Sequence, residues 1–252
     1  MYERPDVPKG GKHAKLIAIV ALVIVAALVV VLVTTLWRLA NEHSKLGDAR
    51  LSDAVATAGV PDEALSAYAG EAGLVPTGNQ VTTVLFAVVR DDDERTLSSL
   101  RLAALDETKG TAKLVEIPAA ARLRQDNSQS FVSTFASSGA PGVVATLTKK
   151  GSVPVTHVVV MTESGWDGFL AVAKTGASSL KSKMGELLDG IVKSDMDTAT
   201  LVGVAQQALS SGVSADAMVT VPAEDVPDDT GSHQEVDAGQ IGLAVGTLAA
   251  PQ

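Results

Sequence analysis

Three stretches of the chain are dominated by apolar residues, and they predict its main elements. The first covers residues 16–33 and continues through two threonines to Trp37. The second, Val84 to Val89, is apolar at every position, and the third is Val155 to Met161. A short run that is apolar on both of its alternating faces is typical of a central strand covered on both sides. The pattern therefore predicts one segment of membrane length and two buried strands.

A hairpin is predicted directly after the first buried strand. Leu97 to Leu105 and Thr111 to Ile117 have strand-like composition, and the five residues between them include Gly110. A five-residue connection that contains glycine is a hairpin signal. Pro118 ends the second strand, because proline cannot donate to the ladder. We expect residues 81–121 to hold three neighbouring strands at the centre of a sheet.

Helical spacing of apolar side chains dominates the rest of the chain. Phe131 and Phe135 lie four apart in a helix predicted for residues 128–137, which residues 138–142 (SGAPG) break before residues 143–150. Further helices are predicted for residues 166–174, 180–191, 201–208 and 238–250, a short strand for 217–221 and an acidic loop for 222–237. Strands and helices that alternate after a hairpin predict an α/β domain with a mixed central sheet and helices on its faces.

The long apolar segment, residues 16–37, has the length of a transmembrane helix. About 22 residues at about 1.5 Å each reach roughly 33 Å, enough to cross the core of a bilayer. The alternative, a cleaved signal peptide, has an apolar part of only about 7–15 residues. Four basic residues precede the segment: Arg4, Lys9, Lys12 and Lys15. Because basic flanks stay in the cytoplasm, everything after Trp37 is predicted to lie outside the cell.

These patterns divide the chain into four parts. We predict a cytoplasmic tail over residues 1–15, a transmembrane helix over 16–37, a juxtamembrane stalk and lead-in over 38–80, and an extracellular α/β domain over 81–252. The expected location is the cell membrane, with a single-pass signal-anchor. The lipid bilayer is then the partner of residues 16–37.

Charge is distributed unevenly and excludes some functions. Residues 39–252 contain fifteen Lys and Arg against twenty-seven Asp and Glu. A surface this acidic repels polyphosphate, which argues against DNA or RNA as a partner. The sequence contains no cysteine, so disulfides, thiolate nucleophiles and cysteine-ligated zinc are excluded.

Several polar clusters have both a chemical and a structural interpretation. Residues 91–94 (DDDE) could ligate a divalent cation, but they lack the spacing of an EF-hand loop, and a solvated turn also explains them. Asp195 and Asp197 form a D-x-D pair like that of glycosyltransferases, yet helix capping by Asp197 explains it more simply. His157 lies in a predicted buried strand without a second histidine nearby, which favours a packed core side chain.

The order of elements and one continuous segment resemble the LytR-CpsA-Psr family. Residues 96–121 (TLSSLRLAALDETKGTAKLVEIPAAA) align without a gap on the family pattern R-S-D-T-I-M-L-V-S-I-N-P-K-T-K-K-V-x-L-L-S-I-P-R-D-T. Residues 131–160 are similar to its helix, glycine break, helix and strand. Residues 166–169 (WDGF) match an aromatic-Asp-Gly-Phe step, and 195–209 resemble a late helix. The agreement is mostly at hydrophobic and turn positions.

The resemblance implies an extracellular α/β domain that transfers glycan chains from a polyprenyl-pyrophosphate carrier to the cell wall. In that family, basic and acidic side chains hold the pyrophosphate and its magnesium, and arginine suits phosphate because it binds in a bidentate manner. The family's charged positions fall here on neutral residues: Thr96, Ser98, Ala119, Ala120, Thr198 and Leu201.

The remaining candidates for a phosphate or lipid pocket are Arg90, Asp91, Arg95, Ser98 and Arg101, with Arg122 and Arg124 as further sources of positive charge. Loss of one positioned contact costs roughly 10²–10³ in rate. The sequence therefore favours a catalytically degenerate binding or regulatory module, a pseudoenzyme, in cell-wall biogenesis. Its expected partners are a polyprenyl-phosphate lipid or a cell-wall glycan, and no metal ligand is assigned. The alternatives are an active glycopolymer transferase, which would need magnesium, and a structural partner of membrane assembly proteins.

Overall fold

The computed structural model describes residues 45–60, 62–125, 129–175, 183, 185–213, 217–228 and 231–251. All of these residues belong to one compact unit of the chain. The predicted tail and transmembrane helix lie outside them. Among the residues that are described, no helix is both long enough and apolar enough to cross a membrane.

Short strands and helices alternate along the described part of the chain. The strands are β1 (Val75–Pro76), β2 (Val81–Arg90), β3 (Asp93–Asp106), β4 (Thr111–Ile117), β5 (Arg122–Leu123), β6 (His157–Thr162), β7 (Ile191–Ser194), β8 (Val219–Thr220), β9 (Ala223–Asp228), β10 (Gly231–Val236) and β11 (Leu248–Ala249). The helices are α1 (Ala49–Thr57), α2 (Asp62–Glu71), α3 (Phe131–Ala145), α4 (Glu163–Thr175), α5 (Thr198–Ser210) and α6 (Ala238–Val245). A π-helical turn (Thr146–Lys150) continues α3.

The central sheet has the strand order β7-β6-β2-β3-β4-β8 in the described part of the chain. β2 pairs antiparallel with β3, and β3 with β4 across the predicted hairpin. β6 joins β2 in parallel, β8 joins β4 in parallel, and β7 runs antiparallel to β6. The predicted mixed sheet with helices on its faces is confirmed.

β2 lies inside the sheet and buries both of its faces. The odd-numbered residues of Leu85–Val89 belong to one apolar core, and the even-numbered residues of Val84–Val88 belong to a second. Successive side chains of a strand point to opposite faces, so an uninterrupted apolar sequence gives a strand with two covered faces. The face of the sheet with the odd-numbered residues is called the α3 face and is covered by α1, α3 and α6. The face with the even-numbered residues is called the α5 face and is covered by α4 and α5.

The break predicted at residues 138–142 lies inside α3. Gly139 has φ 66° and ψ −165°, and Pro141 follows it within the helix. Positive φ is accessible to glycine and strained for other residues, and proline lacks the N–H that a helix interior uses. The helix therefore changes direction here while Phe135 and Val144, on either side, stay in the core of the α3 face.

Most of the described residues of the predicted acidic loop, 222–228 and 231–237, lie in strands. They form β9 and β10, an antiparallel hairpin in which Gly231 lies opposite Asp228, and β10 also pairs in parallel with β5. Val236 at the end of β10 is fully buried. Asp, Glu and Pro are depleted in strands, so composition indicated a loop. The prediction was wrong: six residue pairs join β9 to β10, and two pairs with the distant β5 and the burial of Val236 add to them.

Two predicted helices give way to strands at their ends. Ile191 begins β7 instead of ending the helix predicted for residues 180–191, of which 180–182 and 184 are outside the described residues. The helix predicted for 238–250 ends at Val245, because Gly246 adopts φ 87°. Leu248 then pairs with Pro76 in the two-stranded sheet of β1 and β11.

The first described residues of the lead-in pack against the domain. Leu51 lies in the core of the α3 face, and Leu46 lies in the core of the α5 face. The backbone N–H of Asp48 donates to Ser194 at 2.8 Å, and its carboxylate lies 3.2 Å from Nζ of Lys193 on β7. These contacts hold the entering chain beside the edge strand of the sheet.

Candidate functional site

The α5 face contains an apolar cavity of about 60 Å³ between the sheet and its covering helices. All fourteen residues that line it are apolar, including Val84, Ala103 and Val159 on the sheet and Leu201 and Val204 on α5. A water molecule needs roughly 10–15 Å³ of such space, so the cavity has room for only a few groups of that size. Its walls offer water no hydrogen bonds, so the cavity suits hydrocarbon.

Three aromatic rings separate this cavity from a polar cleft on the same face. The ring centroids of Phe86 and Trp166 are 5.4 Å apart, as are those of Phe86 and Phe169, and those of Trp166 and Phe169 are 5.3 Å apart. Phe86 and Phe169 line the cavity, whereas Trp166 lines the cleft. An apolar and a polar compartment that meet at one wall match the two ends of an amphiphilic molecule.

The polar cleft has a volume of about 600 Å³ and lies where β2 ends and α4 begins. Its lining residues are Val88, Asp91, Ser98, Ser99, Arg101, Glu116, Glu163, Ser164, Trp166 and Asp167. Three of the five predicted site residues, Asp91, Ser98 and Arg101, are therefore brought together. The lining contains four carboxylates and one guanidinium, so the cleft has a negative formal charge.

Arg101 occupies the boundary between the two compartments. Its guanidinium lies 4.6 Å from the centroid of the Trp166 ring, and its Nη2 lies 3.4 Å from Oε1 of Glu116. Its Nε is buried and has no hydrogen-bond partner among the described residues. Burial lowers the pKa of Arg101 below its ordinary value, although the charges of Glu116 and Asp167 act in the opposite direction. Arginine stays protonated despite such a shift, so the cleft keeps one cation.

Arg90 and Arg95 are not among the residues that line the cleft. Nε and Nη2 of Arg90 each lie 3.0 Å from a carboxylate oxygen of Asp92, in an exposed pair. This hydrogen bond raises the pKa of Arg90. Arg95 is exposed, and its backbone N–H donates to Asp93 at 3.0 Å. Neither side chain lines the cleft, although the charge of Arg90 acts on Glu163 from outside it.

Three of the four carboxylates of the cleft, Asp91, Glu116 and Glu163, accept hydrogen bonds from protein donors. Asp91 accepts hydrogen bonds from the N–H and the hydroxyl of Ser164, both at 3.0 Å, and these bonds lower the pKa of Asp91. The Ser98 hydroxyl donates to Glu163. Among the described residues, no group of three metal-ligating side chains converges. Magnesium is usually held by one or two carboxylates together with water and substrate phosphates, and in this cleft one oxygen of Asp91 and one of Glu163 already accept hydrogen bonds from serine.

The two further candidate arginines, Arg122 and Arg124, lie outside this cleft. Arg124 is ion-paired with three carboxylates, at 2.6 Å from Glu224, 3.5 Å from Glu235 and 3.6 Å from Asp237. Arg122 lines a separate polar cleft of about 580 Å³, together with Ala120. Ala120 therefore lies in this second cleft beside Arg122 and not in the cleft that contains Arg101.

His157 and the D-x-D pair have structural partners. Nδ1 of His157 lies 2.9 Å from Oδ2 of Asp195, and Oδ1 of Asp195 accepts from the N–H of Val158 at 2.7 Å. The core-packing interpretation of His157 missed this carboxylate. Asp197 is the N-cap of α5 and accepts from the N–H of Thr200 at 2.7 Å, so the capping interpretation is confirmed.

Sequence reasoning did not place Glu116 or Glu163 in the site. A signal for Glu116 exists in the hairpin, because Arg101 and Glu116 are directly paired across β3 and β4. That pairing follows once the turn at residues 106–110 sets the register. Glu163 has no comparable signal, because its position depends on how α4 packs on the sheet.

Fold and site together define a mixed α/β domain with an apolar cavity beside an acidic cleft. No protein-family model matches the sequence, and no curated protein matches it. Among solved structures, the chain is similar to Bacillus subtilis TagV, with 15% identity, 68% of this chain and 96% of that chain covered, and a TM-score of 0.48. It is also similar to "TagT bound to LI-WTA", with 11% identity, 67% and 89% coverage and a TM-score of 0.48. A third is the LytR-CPS2A-psr family protein YwtF (TagT) with bound octaprenyl pyrophosphate lipid, with 13% identity, 67% and 89% coverage and a TM-score of 0.46.

Proposed function

We propose that this protein is a membrane-anchored, extracytoplasmic binding module of the cell envelope that holds the hydrocarbon chain of a lipid on the α5 face. The observation that carries the proposal is the apolar cavity beside the polar cleft, separated by Phe86, Trp166 and Phe169. The sequence resemblance to a family that uses a polyprenyl-pyrophosphate carrier supports a prenyl chain as that hydrocarbon. Residues 16–37 would anchor the domain at the membrane in which such lipids lie.

A prenyl chain is longer than a cavity of about 60 Å³ can hold, so binding requires α5 to move away from the sheet. The side chains that α5 presents to the cavity are Leu201, Val204, Ala205 and Ala208. Apolar contacts are non-directional and scale with the area removed from water. Hydrocarbon would therefore replace the contacts of α5 with the sheet by contacts of the same kind.

The same site supports a role without glycan transfer. Transfer of a phosphoryl-linked group requires preorganised positive charge around the phosphates. Among the described residues that line the cleft, Arg101 is the only cation, and it is already paired with Glu116. Asp91 and Glu163 accept hydrogen bonds from serine donors, so one oxygen of each carboxylate is already engaged. We therefore assign binding to this protein and leave transfer as the alternative.

Lipid binding can be followed with Trp166 as the reporter. The sequence has two tryptophans, so the full chain with Trp37→Phe emits from Trp166 alone. This chain in amphipol is titrated with geranylgeraniol, a C20 prenyl alcohol, with and without magnesium. We expect a saturable change in Trp166 emission that is independent of magnesium. Absence of saturable binding by the alcohol, its phosphate ester and its pyrophosphate ester would overturn the proposal.

Transfer is tested separately. The full chain is incubated with a polyprenyl-pyrophosphate-linked glycan, peptidoglycan and magnesium, and the glycan that becomes attached to peptidoglycan is quantified. We expect no more attachment than in a reaction without protein. Attachment that depends on both the protein and magnesium would establish the transferase alternative.

A further inference from the structure

Glu116 neutralises the cation of the cleft before any ligand arrives. It lies directly opposite Arg101 in the pairing of β3 and β4, and Oε1 lies 3.4 Å from Nη2. The Arg101 side chain is 15% exposed and that of Glu116 28% exposed. Salt screens partly buried pairs much less than exposed ones. The pair is therefore a fixed part of the cleft and not a transient surface contact.

The donor groups and one face of the Arg101 guanidinium are also partly occupied by protein. A phosphate is bound best by two parallel N–H groups on one edge of arginine. Nη2 belongs to both such edges of Arg101, and it faces Glu116. Nε, the second donor of one edge, is buried, and one face of the group lies against Trp166. A phosphate held by two N–H groups on either edge therefore comes close to the Glu116 carboxylate, which repels it.

The remaining charges of the cleft repel an anion. Asp91, Glu163 and Asp167 line it, and none of them forms an ion pair there with a lysine or arginine of the described residues. Like charges brought together in a cleft oppose binding and serve to reject the wrong partner. Ser98 and Ser99, by contrast, bring hydroxyl groups that suit an uncharged polar head.

We propose that Glu116 sets the head-group specificity of the lipid site: by occupying Arg101 it makes the cleft reject a phosphate-bearing head group and accept an uncharged, hydroxyl-bearing one. This inference rests on the proposed lipid binding and names its ligand class, a prenyl alcohol as opposed to its phosphate esters. Glu116 is thus a specificity residue of the site.

The test compares two lipids that share one tail. The Trp37→Phe full chain in amphipol is titrated with geranylgeraniol and with geranylgeranyl pyrophosphate. We expect the alcohol to bind at least about tenfold more tightly, a difference that a few like-charge contacts supply. Glu116→Gln should tighten pyrophosphate binding until the two lipids differ by less than about threefold. Glu116→Asp, which keeps the charge, should preserve the preference, and Glu71→Gln, the same charge change at an exposed end of α2, should behave as wild type.

Ionic strength gives a test that needs no variant at position 116. Raising salt from about 0.02 M to about 0.5 M shortens the Debye length severalfold, so pyrophosphate binding should tighten while alcohol binding stays constant. Equal affinities of wild type for the two lipids at low salt would overturn the specificity proposal and leave lipid binding intact. A folded Glu116→Gln chain with an unchanged ratio would also overturn it. Failure of both lipids to bind would overturn the proposed function itself.

Discussion

Nδ1 of His157 lies 2.9 Å from Oδ2 of Asp195, which joins the first residue of β6 to the segment after β7. The other oxygen of Asp195 accepts the N–H of Val158 at 2.7 Å. The next residue, Met196, lines the apolar cavity. The pair therefore holds one wall of the cavity in position.

Replacing Asp195 should destabilise the domain. Asp195→Ala removes the acceptor of the Val158 N–H, and leaving a part-buried donor unpaired costs about 1–3 kcal/mol in the free energy of unfolding. Asp195→Asn keeps an acceptor and should cost less. Denaturant unfolding of the full chain in amphipol measures both, with Asp53→Ala on the exposed side of α1 as the control. Equal stabilities of the Ala and Asn variants would contradict this role.

Filling the cavity should block lipid binding. Ala103 lines the cavity on the α5 face, whereas its neighbour Ala104 lies in the core of the α3 face. Ala103→Leu puts a larger side chain into the cavity and should abolish the lipid-induced change in Trp166 emission. Ala104→Leu is the matched control, because overpacking should cost about 1–3 kcal/mol of stability and leave binding unchanged. Lipid binding by a folded Ala103→Leu chain would place the lipid elsewhere.

Arg101 should not be replaceable by lysine without a loss of stability. Lysine keeps the positive charge but lacks the planar group that stacks on Trp166 and faces Glu116. We expect Arg101→Lys to lower the free energy of unfolding by about 0.5–2 kcal/mol, the range of partly desolvated cation–π contacts. Arg95→Lys, at an exposed site, is the control. Identical unfolding curves for the two variants would show that the contact of Arg101 with the Trp166 ring contributes nothing to the stability of the domain.

Tyr68 should make the domain sensitive to alkaline pH. Burial and the negative charge of Asp237 raise the pKa of Tyr68 from 10.0 to about 12, and its hydroxyl donates to Asp237 at 3.2 Å. The folded chain therefore holds this proton more tightly than the unfolded chain, whose tyrosine pKa is about 10. The stabilisation is complete below about pH 10 and is lost as the pH rises to about 12. Wild type should lose more stability across this window than Tyr68→Phe in denaturant unfolding, and parallel losses would contradict the assignment.

The membrane topology is tested by fusion. A reporter enzyme that is active only outside the cell, attached after Gln252, should be active in cells that express the full chain. Deletion of residues 1–38 should abolish that activity, because export then lacks the apolar segment. An inactive reporter on a full-length, membrane-bound chain would mean that the domain faces the cytoplasm.

The apolar and turn pattern by itself determined the centre of the fold. Val84–Val89 is apolar on both alternating faces, and the five residues at 106–110 connect two strand-like runs, so β2 and the hairpin of β3 and β4 were predictable from adjacent residues. The break in α3 and the cap of α5 by Asp197 are local for the same reason. Each depends on contacts within a few positions along the chain.

Only the tertiary structure decided the features that join distant segments. β10 pairs with the distant β5 and buries Val236, against the preference of Asp, Glu and Pro for loops. Glu163 enters the cleft because α4 packs beside β2, and the aromatic wall forms because Trp166 reaches Phe86 across the same interface. Local propensity carries no information on such contacts, since their energy comes from burial and pairing between residues far apart in sequence. The charge of the cleft, and with it the ligand class that we infer, is a property of that packing.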